Sequence, residues 1–206
     1  MQKPAPPVRI VRPTRADARR NFDRLVATAD ALFAEQGTDV SFDEIARNAG
    51  VGSGTLYRHF PTRNALMTAV FWGRVEEQCA EAERLLNGPS ADVALTTWLG
   101  KLIELTMQRG LAQALTAGRQ DDASALFAAC REALERAAAP LLRRAQDEGS
   151  FREDLAVSDL MAFAHTIALV AGHSEQGVAH AARLLDLLVS GLRRRSPAGP
   201  GDRPGG

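Results

Sequence analysis

Apolar residues return every three or four positions through most of the chain, and that period predicts helices. Phe22, Leu25, Val26, Ala29, Leu32 and Phe33 share one face of a first helix, from about Asp17 to Gln36. Gly37 ends it, being the residue that tolerates a left-handed C-cap. A second helix starts at Ser41, where Ser41 and Glu44 have capping-box spacing and Phe42, Ile45, Ala46 and Ala49 form a buried stripe. Gly50-Val51-Gly52 is a tight turn. A short third helix covers about Ser53 to Phe60 and is stopped by Pro61. A fourth begins near the N-cap Thr62 and continues to about Leu86.

Asn87-Gly88-Pro89-Ser90 breaks the pattern. Helical periodicity resumes from about Ala91 to Gln108, followed by a short helix to Ala117. Gly118 to Asp122 is a polar linker, and a long helix is expected from Ala123 to about Asp147. Pro140 cannot donate to the Arg136 carbonyl, which predicts a kink. After a loop from Gly149 to Leu155, two helices cover about Ser158–Ala171 and Glu175–Arg194. No run alternates like a strand, so the fold class is all-α: an N-terminal three-helix domain containing a helix-turn-helix, plus a C-terminal helical domain.

Composition adds polarity to this picture. The 206 residues carry 25 basic and 25 acidic side chains, which excludes a uniformly basic binder. Residues 1–64, however, hold ten basic against seven acidic residues, +3, and the remainder is −3. A basic N-terminal third suits a polyanion. Arg far outnumbers Lys, present only as Lys3 and Lys101, and with the high Ala content this reads as a GC-rich bacterial genome. Cys79 and Cys130 are too few for a disulfide framework and read as reduced thiols. No signal peptide is expected, nor a membrane span, since the uncharged stretch between Asp159 and Glu175 falls short of ~20 residues. A cytoplasmic location follows. Seven of the ten prolines lie in the two tails, which are expected to be disordered. The expected organisation is a basic arm over 1–16, a helix-turn-helix domain over 17–72, a second helical domain over 73–194 and a tail over 195–206.

Helices two and three with their turn make a helix-turn-helix candidate from Ser41 to Phe60. Ile45, Ala46, Ala49, Val51, Leu56 and Phe60 face inward, and small Ala46 lets the helices approach. Ser53, Gly54, Thr55, Tyr57, Arg58 and His59 face outward on a short helix that fits a major groove. A helical hairpin whose outer face meets only water has the same pattern.

The stretch from Ile45 to Arg63, IARNAGVGSGTLYRHFPTR, resembles the signature of the tetracycline-repressor-like (TetR) family. The resemblance spans roughly Arg19 to Phe71 and includes the helix end Phe33-Ala34-Glu35-Gln36-Gly37; Gly149-Ser150-Phe151-Arg152-Glu153-Asp154 resembles the loop before that family's dimerising helices. Gly52 departs from a usual Ser, Arg63 from a usual Lys and Asn64 from a usual acid. The resemblance implies a sequence-specific, homodimeric DNA-binding regulator, usually a repressor released by a small ligand. Within it, Ser41 and the start of helix two suit a phosphate. Tyr57, His59 and Arg63 would clamp phosphates, Ser53 could replace the hydroxyl missing at Gly52, and Ser53, Gly54, Thr55 and Arg58 would lie nearest base edges. Arg58 has three open roles: a guanine contact, a phosphate contact or an acid on its own chain. Tyr57 is open to being partly core. Lys3, Arg9, Arg12, Arg15, Arg19 and Arg20 could track DNA or belong to a solvated tail, with Arg15 the favoured contact.

The last two helices carry more apolar surface than one neighbour can cover. Leu160, Phe163, Ala164, Ile167 and Ala171 fall on one face, with Met161, Ala168 and Leu169 near another; Val178, Ala181, Ala182, Leu184, Leu185, Leu187, Leu188, Val189 and Leu192 follow. That surplus predicts a four-helix bundle with a second copy. A dimer would set two recognition helices about 34–36 Å apart on a palindromic operator. Trp98, Leu102, Met107, Phe127, Cys130 and Phe163 line either a ligand pocket or a filled core, and without buried charges an effector there would be small and apolar or amphipathic. His165, His173 and His180 lack metal-ligand spacing, so no metal and no cofactor is expected beyond that effector. Without a nucleophile–base pair or phosphate loop, the chain does not read as an enzyme.

Overall fold

In the computed structural model, the described residues are 12–108, 112–113, 115, 120–172 and 176–193, with backbone alone for 120–122. The tails, Lys3, Arg9, His173 and most of the expected short helix to Ala117 lie outside them. Eight helices are found among the described residues. They are α1 (Ala16–Gln36), α2 (Phe42–Asn48), α3 (Ser53–His59), α4 (Arg63–Leu86), α5 (Ala91–Met107), α6 (Gln120–Asp147), α7 (Val157–Ala171) and α8 (Gly177–Leu192).

Each boundary has a local cause. Gly37 follows α1 at φ 84°, and its amide bonds to the Phe33 carbonyl. Ser41 caps α2 by accepting from the Glu44 amide at 3.2 Å; the return bond of a full capping box is not formed among the described residues. Gly50, at φ 62°, turns the chain between α2 and α3. Thr62 caps α4 through the Ala65 amide and Ser90 caps α5 through the Val93 amide. The segment expected as a linker up to Asp122 is already helical from Gln120. A polar run does not exclude a first turn, where acidic residues suit the positive end of the helix.

The N-terminal helices pack around Phe22, Leu25, Ala29, Ile45, Ala46, Leu56 and Phe60, all nearly or fully buried. The same apolar cluster continues along α4 into α5, α6, α7 and α8. Buried polar groups tie the second half together. The Gln78 side chain donates to the Trp98 carbonyl at 2.9 Å, and Trp98 Nε1 donates to the Gln78 carbonyl at 3.0 Å. Arg144 on α6 donates to the Leu86 and Gly88 carbonyls, each at 2.8 Å, while Glu148 accepts from the Ala91 amide. One helix thus caps both ends of the α4–α5 turn. Phe151 is fully buried and forms an antiparallel bridge with Arg193, whose guanidinium pairs with Asp92.

Phe163 departs from the predicted face. The buried stripe of α7 is Leu160, Ala164, Ile167, Ala168 and Ala171, and Phe163 is 39% exposed. Ala168, expected near another face, is buried in that stripe. Leu169, Val170, Val178 and Leu187 are also exposed.

Candidate nucleic-acid interface

Helix α3 buries Leu56 completely and turns Ser53, Gly54, Tyr57 and Arg58 outward, with Thr55 and His59 half-buried. Its position depends on apolar residues from three elements: Phe42 of α2, Phe22 of α1 and Phe60 after α3. The Tyr57 ring lies 5.2 Å from the Phe42 ring and is 51% exposed. It combines the two readings left open for it, with one side packed and the other available.

A side chain at Gly54 would meet nothing within 4 Å, so internal packing does not require glycine there. The surface around Gly54 is open to close approach from outside. Arg58 is exposed and makes no ion pair among the described residues. Ser41 is exposed, with its oxygen engaged as the α2 cap. Arg15 is exposed at the N-cap position of α1.

Two of the expected phosphate clamps are engaged internally. Arg63 donates to the Thr38 carbonyl, and its guanidinium carbon sits 5.6 Å from the centre of the Phe42 ring. It ties the start of α4 to the loop before α2. His59 packs edge-on against Phe22 at 6.0 Å, with Nε2 buried and without a hydrogen-bond partner. Burial, then the neighbouring Arg58 charge, pushes the His59 imidazole below its usual pKa.

Arg12 also turns inward. It lies over Phe22 at 6.0 Å and pairs with Asp23 at 3.6 Å and Glu76 at 3.3 Å. A second link between α1 and α4 is Arg74 Nε donating to Asp30 at 2.6 Å. These pairs line a groove of about 460 Å³ with Asp23, Asp30, Glu76 and Glu83. The sequence pattern does not expose this groove, because its acids look like ordinary polar helix faces.

Five of the six residues expected to line a ligand pocket or a filled core belong to or pack against the apolar core that runs through the chain. Trp98, Leu102 and Cys130 are buried in one apolar cluster, with Met107 and Phe127 packed against it. Phe127 meets Phe71 edge-on at 5.3 Å. Phe163 lies outside that cluster. Burial raises the Cys79 thiol to about 11 and the Cys130 thiol to about 12. Among the described residues, no group of three His, Cys, Asp or Glu side chains could hold a metal, and no helix is long and apolar enough to cross a membrane.

One contact was not foreseen from the sequence. Ser53 Oγ donates to Asp43 Oδ1 at 2.9 Å, joining the first residue of α3 to the first turn of α2.

Comparison with known proteins agrees with this geometry. Residues 25–70 match the pattern of "Bacterial regulatory proteins, tetR family", and residues 90–194 match "Transcriptional regulator SbtR-like, C-terminal domain". A TetR transcriptional regulator from Streptomyces coelicolor is similar in structure, with TM-score 0.72 and 34% identity over 85% of this chain and 99% of that one. A TetR transcription regulatory protein from Mycobacterium vanbaalenii is also similar, with TM-score 0.70 and 34% identity over 88% of this chain and 99% of that one. An HTH-type transcriptional regulator from Staphylococcus aureus is 38% identical over 78 residues, which are 36% of this chain and 40% of that protein. The chain therefore spans well under two thirds of that relative's length.

Proposed function

The chain belongs to the TetR family of bacterial transcriptional regulators, and from that premise we propose that it is a homodimeric, cytoplasmic repressor that holds a palindromic operator and releases it when a small molecule binds. The observation that carries the DNA-binding reading is the outer face of α3. Gly54, Tyr57 and Arg58 stand exposed on a helix whose inner face is anchored by Leu56. Such a helix enters a major groove, with Tyr57 reaching phosphate and Arg58 reaching phosphate or guanine. Ser41 and Arg15 add backbone contacts, while Thr55 approaches a base edge or phosphate. His59 and Arg63 contribute through the packing they maintain.

Dimerisation through α7 and α8 is supported by Phe163, Leu169, Val170, Val178 and Leu187, which their own chain leaves exposed. The effector is a small apolar or amphipathic molecule that enters by opening the packed region around Leu102, Met107, Phe127 and Cys130. Trp98 holds α4 against α5 beside that space.

The test is fluorescence anisotropy on DNA flanking the protein's own gene, at two salt concentrations and against scrambled competitor. Specific binding that weakens steeply with salt supports a local regulator. Absence of DNA binding at both concentrations rejects the reading and leaves a helical partner-binding module.

A further inference from the structure

The recognition helix begins with a hydroxyl whose proton is already committed. Ser53 Oγ directs its hydrogen to Asp43 Oδ1 at 2.9 Å, and both residues are exposed. A serine hydroxyl has one donor hydrogen and two lone pairs, and a carboxylate has acceptors only. With the donor turned inward, the pair presents lone pairs to an approaching ligand. Asp43 makes no ion pair among the described residues. Gly52 and Gly54 flank Ser53, and a Cβ at either would meet nothing within 4 Å. The two glycines add no side chain of their own beside the acceptor pair.

The two side chains offer phosphate oxygens no donor, so the pair is unsuited to the phosphate role considered for Ser53. Base edges in the major groove differ in how they meet it. Guanine presents two acceptors, thymine an acceptor and a methyl, and adenine a donor beside the N7 acceptor. Cytosine presents its N4 amino donor alone. We propose that Asp43, acting with Ser53, is a specificity-determining contact that selects a cytosine at one position in each operator half-site. The proposal rests on the DNA-binding reading above. Asp43 supplies the accepting carboxylate, and Ser53 orients it and adds a second acceptor.

The experiment uses the full chain and a randomised duplex library to obtain the preferred site, then compares four duplexes differing at the symmetric position. The wild-type protein should prefer cytosine there by about 5- to 150-fold. Asp43→Ala should erase that preference and retain the rest of the site. Asp43→Asn should move the preference towards adenine, because an amide carries the acceptor and donor that match N6 and N7. Ser53→Ala should weaken the preference at the same position. Circular dichroism establishes that each variant is folded.

If folded Asp43→Ala keeps every base preference and changes affinity for all sequences alike, Asp43 is only a helix-end residue and the proposal is overturned. A wild-type site with no cytosine preference that depends on Asp43 also overturns it while leaving DNA binding intact. Failure of the wild-type protein to enrich any sequence removes both this proposal and the reading beneath it.

Discussion

Tyr57 and Phe42 place their rings 5.2 Å apart, so an exposed residue of the recognition helix rests on the first residue of the helix before it. The contact restricts the Tyr57 ring while leaving its outer side open. Tyr57→Ala should weaken operator binding about tenfold, equivalent to ~1.4 kcal/mol. Anisotropy should detect the loss, and thermal unfolding should change by less than about 1 kcal/mol because half the ring is already in solvent. Unchanged affinity in the folded variant would remove Tyr57 from the interface.

Arg63 makes a different prediction. Its guanidinium serves Thr38 and Phe42. Arg63→Met should therefore lower stability by about 1–2 kcal/mol in urea unfolding. The slope of DNA affinity against salt should stay unchanged. A fall in that slope by about one would identify Arg63 as a phosphate contact instead.

His59 links stability to pH. Burial lowers its folded pKa below the unfolded value, with the Arg58 charge adding to the shift. The stabilising contribution is thus present above about pH 6.5 and lost as pH falls towards the folded value. Urea unfolding at pH 7.5 and 5.5 should show the wild type losing stability on acidification. His59→Phe should reduce that loss, and an identical pH dependence in the variant would show that another group titrates.

The Gln78–Trp98 exchange should be sensitive to removal of one donor. Trp98→Phe keeps an aromatic ring but loses the bond from Nε1 to the Gln78 carbonyl. A stability loss of about 1–3 kcal/mol is expected from that bond and the volume change together. Chemical unfolding measures it. A loss below about 0.5 kcal/mol would mean that the exchange is not what fastens α4 to α5.

At the other end of the molecule, Leu187 is 58% exposed on α8. Leu187→Glu should shift a dimer towards monomer in sedimentation velocity while helicity is retained. A variant that sediments as a dimer would place the interface elsewhere.

The helices were legible because their stops and caps are local. Gly37, Ser41, Thr62 and Pro61 act within a few residues, and helical apolar spacing identifies the inner side of α1 and α2. The outer face of α3 was legible for the same reason, since α3 has one buried residue, Leu56, and polar neighbours. What escaped were contacts between residues distant in sequence. Nothing local shows that Arg63 turns back to Thr38, that Arg12 folds onto Phe22 and Glu76, or that Ser53 gives its proton to Asp43. Phe163 was misplaced because hydrophobicity cannot separate packing within a chain from surface left over for another. Trp98 reads from the sequence as lining a pocket or filling a core, and neither reading shows that its Nε1 donates to the Gln78 carbonyl.

Helix α4 is fastened at its middle and at its C-terminal end. Arg74 joins its first half to Asp30 of α1, and Arg144 of α6 grips the carbonyls of Leu86 and Gly88 where it ends. Its 24 residues make a rod about 36 Å long. A rod held in this way transmits tilt instead of absorbing it. A rotation of about 5° at the far end would displace the near end by roughly 3 Å, and in a two-fold pair the reading heads would move by about 6 Å relative to each other. That is close to two base-pair steps of B-DNA, at about 3.4 Å per pair. In the dimer proposed above, a small expansion in the helical core would have the leverage to put the two halves out of step with a fixed operator.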